Sequence, residues 1–165
     1  MKQAKTAGSL ERETIDSESP EQTIALAKRV AAARPECSAF YLDGDLGAGK
    51  TVFAKGIASF HGIEESAVVS PTFALVNRYG GGRRTLYHID LYRIENQKEL
   101  EELGIEDMEE EGALLVVEWP EKLGRYIRSD AVLVHIEVTS EAHRRITVAP
   151  VGATGFPRRS ETTAS

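Results

Sequence analysis

GDLGAGKT, Gly44 to Thr51, stands between the short apolar run SAFYLD and TVFAKGIASFHG, whose apolar residues recur at helical spacing. The octapeptide satisfies G-x-x-x-x-G-K-[ST], with Gly44, Gly49, Lys50 and Thr51 in the fixed positions. With glycine at about 7% of average usage, a chance match somewhere in a chain of this length has odds of about half a percent. A strand before the loop and a helix after it is the arrangement that gives such a match meaning. The successive N–H groups of Asp45, Leu46, Gly47, Ala48 and Gly49, together with the helix start, then converge on one anion. Glycine serves by adopting unusual backbone angles and by leaving room for approaching oxygens. Lys50 would place a positive charge between the terminal phosphates of a nucleotide, and the Thr51 hydroxyl would bind the magnesium that bridges them.

A site of this kind needs an acid for the metal's water shell, usually at the end of a neighbouring apolar strand. Two residues qualify. Glu118 ends ALLVVE and Asp90 ends TLYHID, so each is expected at the carboxyl edge of a strand, where ligands bind in open α/β sheets. Glu118 follows the stronger strand and is expected at the magnesium, with Asp90 orienting water or completing the metal shell. The alternative for both is an acid at a strand end, facing water.

The 165 residues suit one domain with a real core, and 41% hydrophobic with 28% charged residues is ordinary for a globular protein. A formal net charge of -6 argues against gripping nucleic acid by blanket phosphate neutralisation. The one cysteine, Cys37, forms no internal disulfide and lies outside any nucleophile signature. The opening MKQAKTAGSL lacks the apolar stretch of an export signal, and no run reaches membrane-spanning length, so a cytoplasmic protein without membrane contact is expected.

Residues 1–15 and 150–165 read as disordered tails around a single domain at 16–149. Within it, Ser19, Pro20 and Gln22 form a helix start before EQTIALAKRVAAAR. AVVSPTFALVNRY has strand character broken by Ser70 and Pro71, and Gly80 to Gly82 connect it to RRTLYHIDLYR. NQKELEELG reads as a helix closing at Gly104, and EDMEEEG as solvated surface. ALLVVE has the look of a central strand, AVLVHIEVT alternates as a strand near a sheet edge does, and RITVAP would pair antiparallel with it.

GDLGAGKT, SPTF at Ser70–Phe73, YHIDLYR at Tyr87–Arg93 and VEWPE at Val117–Glu121 together resemble the TsaE family over roughly residues 18 to 148. That family, formerly YjeE, comprises small bacterial ATPases required for making threonylcarbamoyladenosine in tRNA. The loop is common to many enzymes; the HxDLYR and VEW elements make the resemblance specific. It implies an α/β P-loop NTPase fold with a mostly parallel central sheet flanked by helices and antiparallel strands at the edge. It implies ATP and Mg2+ at the loop, with Lys50 and Thr51 carried over directly. Glu118 matches the family's metal-associated acid, Asp90 its functional acid, and Thr72 a segment resembling a nucleotide-sensing switch. Trp119 falls beside the site in the family pattern. The implied partners are the TsaD and TsaB proteins, with tRNA engaged indirectly through their complex. A slow, partner-dependent ATPase is therefore expected.

Two rival readings use the same loop: a small-molecule kinase with GGGRR, Gly80 to Arg84, as its short lid, and a nucleotide-sensing module without meaningful turnover. His88, two residues before Asp90, could share its face as an acid/base pair, although a structural histidine is the simpler reading. Arg78 and Arg93 are candidates for stabilising phosphoryl charge, against the plainer role of surface ion pairing. His61, His135 and His143 show no metal-ligand spacing.

Overall fold

Residues 11–151 are described by a computed structural model, and their backbone builds one seven-stranded sheet. In chain order the elements are β1 (Glu13–Ser17), α1 (Pro20–Ala33), β2 (Ala39–Gly44), α2 (Lys50–Phe60), β3 (Val76–Tyr79) and β4 (Leu86–Asp90). There follow α3 (Gln97–Glu102), α4 (Ile105–Glu110), β5 (Leu114–Glu118), β6 (Val132–Val138) and β7 (Arg144–Pro150). The strands lie in the order β1-β7-β6-β2-β5-β4-β3. The β6-β2-β5-β4 core is parallel, while β7 and β1 on one flank and β3 on the other run antiparallel to their neighbours.

A parallel core forces its strands to be apolar on both faces, because crossover helices cover each side. β2, β4 and β5 are buried along their whole length. Phe40, Leu42, Val116 and Val134 face the layer of α1 and α2, where they pack with Leu26, Phe53 and Ile57. Tyr41, Ile89, Leu115 and Val117 face the opposite way, onto Leu100 of α3 and Ile105 and Met108 of α4. α1 starts as its sequence requires: the Ser19 hydroxyl accepts the Gln22 N–H, with Pro20 in the first turn.

Five local expectations need correction. β1 begins at Glu13, inside the stretch 1–15 read as a tail, because Ile15 and Ser17 pair across β7 at Ile146 and Arg144. At the other end β7 runs through Pro150 and Val151 is buried, so the tail does not begin at 150; the expectation for 1–10 and 152–165 lies outside the described residues. The acidic stretch after Gly104 is α4 rather than bare surface, since Ile105 and Met108, one turn apart, drop into the core. β6 is internal to the sheet, between β2 and β7, and the polar members of its alternating run are His135, half-buried against Asp43, and the exposed Glu137. Only Val76–Tyr79 of the AVVSPTFALVNRY segment is strand.

α1 and α2 approach closely at Gly56, where an added Cβ would lie 2.5 Å from both Ala27 Cβ and Ile24 O. Backbone cannot yield as a flexible side chain can. Gly56→Val is expected to destabilise the fold by about 1–3 kcal/mol through overpacking, read as a lowered midpoint in urea unfolding.

Candidate functional site

The loop leaves β2 at Gly44 because nothing larger fits there: a Cβ would stand 2.7 Å from Ile136 O of β6. Gly47 and Gly49 have φ of 76° and 108°, left-handed values that suit glycine. A Cβ at either would meet nothing within 4 Å, so the loop surrounds open space on that side. The Gly49 N–H meets no acceptor among the described residues. Gly49 is also the N-cap of α2, so the unpaired donors of a helix start adjoin it.

Lys50 is buried, with Nζ donating to Gly44 O at 2.6 Å and Asp45 O at 3.0 Å, and standing 4.6 Å from the centre of the Trp119 ring. The ammonium is thus stationed across the loop by carbonyls and an aromatic face. The donors here, backbone N–H groups and one ammonium, form a set suited to an anion.

The sheet register brings the two acids to this loop. Leu42 of β2 aligns with Glu118 of β5, and Asp90 of β4 aligns with the same Glu118, so Glu118 ends the strand beside the loop's own and Asp90 ends the next one out. Thr51 donates to Glu118 Oε1 at 3.3 Å. His88 Nε2 bonds the same oxygen at 2.8 Å, and both His88 and Glu118 are buried. Oε1 is held from two sides, and Oε2 carries no hydrogen bond among the described residues. Glu118 is the partner of His88, a buried and hydrogen-bonded histidine as in the simpler of the two readings, and no His88–Asp90 bond is present among the described residues.

Asp90 is held instead by the 70–75 segment and the chain after it. Thr72 donates to Oδ2 at 2.9 Å and the Tyr92 N–H to Oδ1 at 2.9 Å. The Asp90 N–H donates to Leu75 O at 2.9 Å, and Leu75 has a φ of 66°. Trp119, at φ 58°, is the other non-glycine residue in the left-handed region among those described. Both strained residues touch this site, where sparsely populated backbone is tolerated when surroundings enforce it. Tyr92 packs against Trp119 with ring centres 4.9 Å apart and the planes tilted by 44°, and Lys122 anchors that loop through Tyr92 O at 2.6 Å.

Several sequence candidates fall elsewhere. Arg78 binds the Tyr87 hydroxyl at 3.2 Å, and Arg93 lies over Phe73 at 5.7 Å; neither bonds Lys50, Thr51, Asp90 or Glu118. Burial pushes the Cys37 thiol up to about 11, which removes it as a nucleophile at neutral pH. The GGGRR segment is tied to the far end of the sheet: the Arg83 N–H donates to His61 O at 2.7 Å and Arg84 to Cys37 O at 2.7 Å. Contacts not foreseen include His135 with Asp43 at 2.6 Å, just before the loop, and Arg144 with Ala48 O at 2.8 Å, within it. Their partners are 92 and 96 residues away in sequence, beyond the reach of local pattern.

The family model described as threonylcarbamoyl adenosine biosynthesis protein TsaE matches residues 17–146. The chain belongs to the TsaE family. The tRNA threonylcarbamoyladenosine biosynthesis protein TsaE of Bacillus subtilis (strain 168) is 37% identical over 133 residues, spanning 81% of this chain and 82% of that relative. The protein of the same description from Rickettsia conorii is 36% identical over 131 residues, spanning 79% and 73%. The crystal structure of Bacillus subtilis YdiB superposes with a TM-score of 0.66 at 29% identity, covering 86% of this chain and 87% of that one. The mixed α/β sheet with parallel core strands is therefore that of a solved structure, and TsaE membership assigns the chain to threonylcarbamoyladenosine biosynthesis in tRNA. Among the described residues no helix is long and apolar enough to cross a membrane.

Proposed function

We propose that this TsaE-family chain binds ATP with Mg2+ at Gly44–Thr51 and hydrolyses it to drive or reset a TsaB–TsaD complex acting on tRNA. The observation that carries the reading is the convergence of an open glycine cradle, a buried lysine and two strand-end acids on one sheet edge. The N–H groups of Asp45, Leu46, Gly47, Ala48 and Gly49 and the Lys50 ammonium bind the phosphates. Thr51 and Glu118 are the residues that would hold the metal, and their hydroxyl and carboxylate oxygens are the hard donors magnesium prefers. Bound there, magnesium would offset the charge on the terminal phosphates. Asp90 positions the attacking water, Thr72 couples that acid to the 70–75 segment, and Trp119, against Lys50, senses what happens to the lysine.

The isolated chain is expected to be slow for two reasons visible in the site. Each Asp90 oxygen already accepts a hydrogen bond from the surrounding loops. No arginine among those described bonds Lys50, Thr51, Asp90 or Glu118, so charge developing on the transferred phosphoryl group lacks the guanidinium that accelerates many such enzymes. A partner that supplies such a group, or shifts the 70–75 segment, completes the site. The kinase alternative loses its lid, because GGGRR is fastened at the opposite end of the sheet from the loop.

The test is ATP turnover by the chain alone and with the TsaB and TsaD proteins of the same organism. A rise of at least about tenfold with the pair is expected, below the ceiling that added transition-state charge stabilisation reaches. Equal rates with and without the pair would remove the coupling, and labelled phosphate retained on a metabolite would make the chain a kinase.

A further inference from the structure

The arginine that opens β7 does something its neighbours do not. Arg144 Nε donates to Ala48 O at 2.8 Å, while its Nη1 shares its two hydrogens among Ser140 O, Glu141 O and His143 O at 3.0–3.2 Å. One planar fork therefore closes the β6–β7 turn and grips the phosphate loop from behind. Arginine suits this because its donors are fixed in a plane and always charged.

Ala48 O belongs to the same peptide unit as the Gly49 N–H. That unit is planar and trans, as are all those described, so its C=O and N–H point in opposite directions. Fixing the carbonyl toward Arg144 turns the Gly49 N–H away from it, and that N–H meets no acceptor among the described residues. Gly49, lacking a Cβ and sitting at φ 108°, offers little resistance of its own to peptide rotation.

We propose that Arg144 is a positioning residue of the phosphate loop: by gripping Ala48 O it pre-orients the Gly49 N–H toward the bound anion and so sets phosphate affinity without touching the nucleotide. This rests on the reading of Gly44–Thr51 as a phosphate site. The ligand class is a nucleoside di- or triphosphate. Pre-orientation raises affinity because the donor need not be ordered when the anion arrives.

The experiment compares the full chain with Arg144→Gln and Arg145→Gln, using ADP as the probe, by calorimetry and by the amide NMR resonance of Gly49. Arg145 is the control: it removes the same charge from the adjacent position, and its guanidinium pairs with Asp16 at 3.0 Å instead of reaching the loop. Arg144→Gln is expected to weaken ADP about tenfold, the scale of a hydrogen bond to a charged group. It should also shift the Gly49 amide resonance before any nucleotide is added, which a purely structural role at the turn would not do. Arg145→Gln should leave both unchanged. If Arg144→Gln does not fold, Arg144→Lys carries the test, since one ammonium cannot hold Ala48 O and three turn carbonyls together, and a loss of at least about threefold is expected. Wild-type ADP affinity and an unmoved Gly49 resonance in the folded variant overturn the proposal. If the unaltered chain itself binds no ADP, the phosphate-site reading fails first and takes this one with it.

Discussion

Lys50→Ala is expected to weaken MgATP binding at least about a hundredfold, about 2.7 kcal/mol, and to abolish turnover with the partner pair. Two consequences of one truncation add here. The ammonium is the positive side chain of the loop, buried, in a setting where charge acts with less screening than in water. It also ties the end of the loop back to its start through Gly44 O and Asp45 O, so its loss loosens the cradle that orients the backbone donors. Lys50→Arg should not rescue, because a wide planar fork cannot occupy the place of a compact ammonium among carbonyls and an indole face. Calorimetry gives the affinity. The emission of Trp119, the chain's one tryptophan, gives an independent reading, since its ring faces Nζ at 4.6 Å and should change on nucleotide addition in the native chain alone. Native-like affinity in Lys50→Ala would end the phosphate reading, and with it the assignment of every residue around the loop.

How much of this was visible in the sequence follows from the distance over which each feature is encoded. The loop, the α1 cap and the runs of β2 and β5 are local: capping residues, glycines and apolar continuity lie within a few positions of one another, and the structure places them where the pattern does. Asp90 and Glu118 were found as strand-end acids, but that they share a register position follows from β4 and β5 being neighbours, which no local signal states. Which acid holds His88 is hidden from the local sequence for the same reason. Asp90 was the nearer residue in sequence, whereas the strand beside β4 presents Glu118 to the imidazole. α4 had a signal that was outweighed. Ile105 and Met108 are spaced one turn apart, yet five acids in Glu106–Glu111 made the stretch look wholly solvated. β1 is five residues with a half-buried Ile15 and a buried Ser17, and it becomes a strand only because β7 offers an edge to pair with.

Replacing Glu118 separates its structural from its chemical part. The carboxylate accepts from Thr51 and His88 through one oxygen, inside a core where side-chain exposure is 5% for Glu118 and nil for His88. His88 Nδ1 already lacks a partner among the described residues, so Glu118→Ala would strand both ring nitrogens in the interior. An unsatisfied buried donor costs about 1–3 kcal/mol, and the cavity left by the side chain adds to it. Glu118→Gln keeps the shape and an amide oxygen able to accept both hydrogen bonds, so its unfolding midpoint should stay near that of the native chain. What glutamine lacks is the negative charge that a divalent ion requires. Partner-stimulated turnover in Glu118→Gln is therefore expected to fall about a hundredfold, the scale on which single electrostatic groups act in such sites. ADP affinity measured without magnesium should be unchanged. The alanine variant should lose both stability and turnover, the glutamine variant turnover alone. If Glu118→Gln retained native turnover, the metal would have to be sought at Asp90, whose oxygens are held by Thr72 and the Tyr92 N–H.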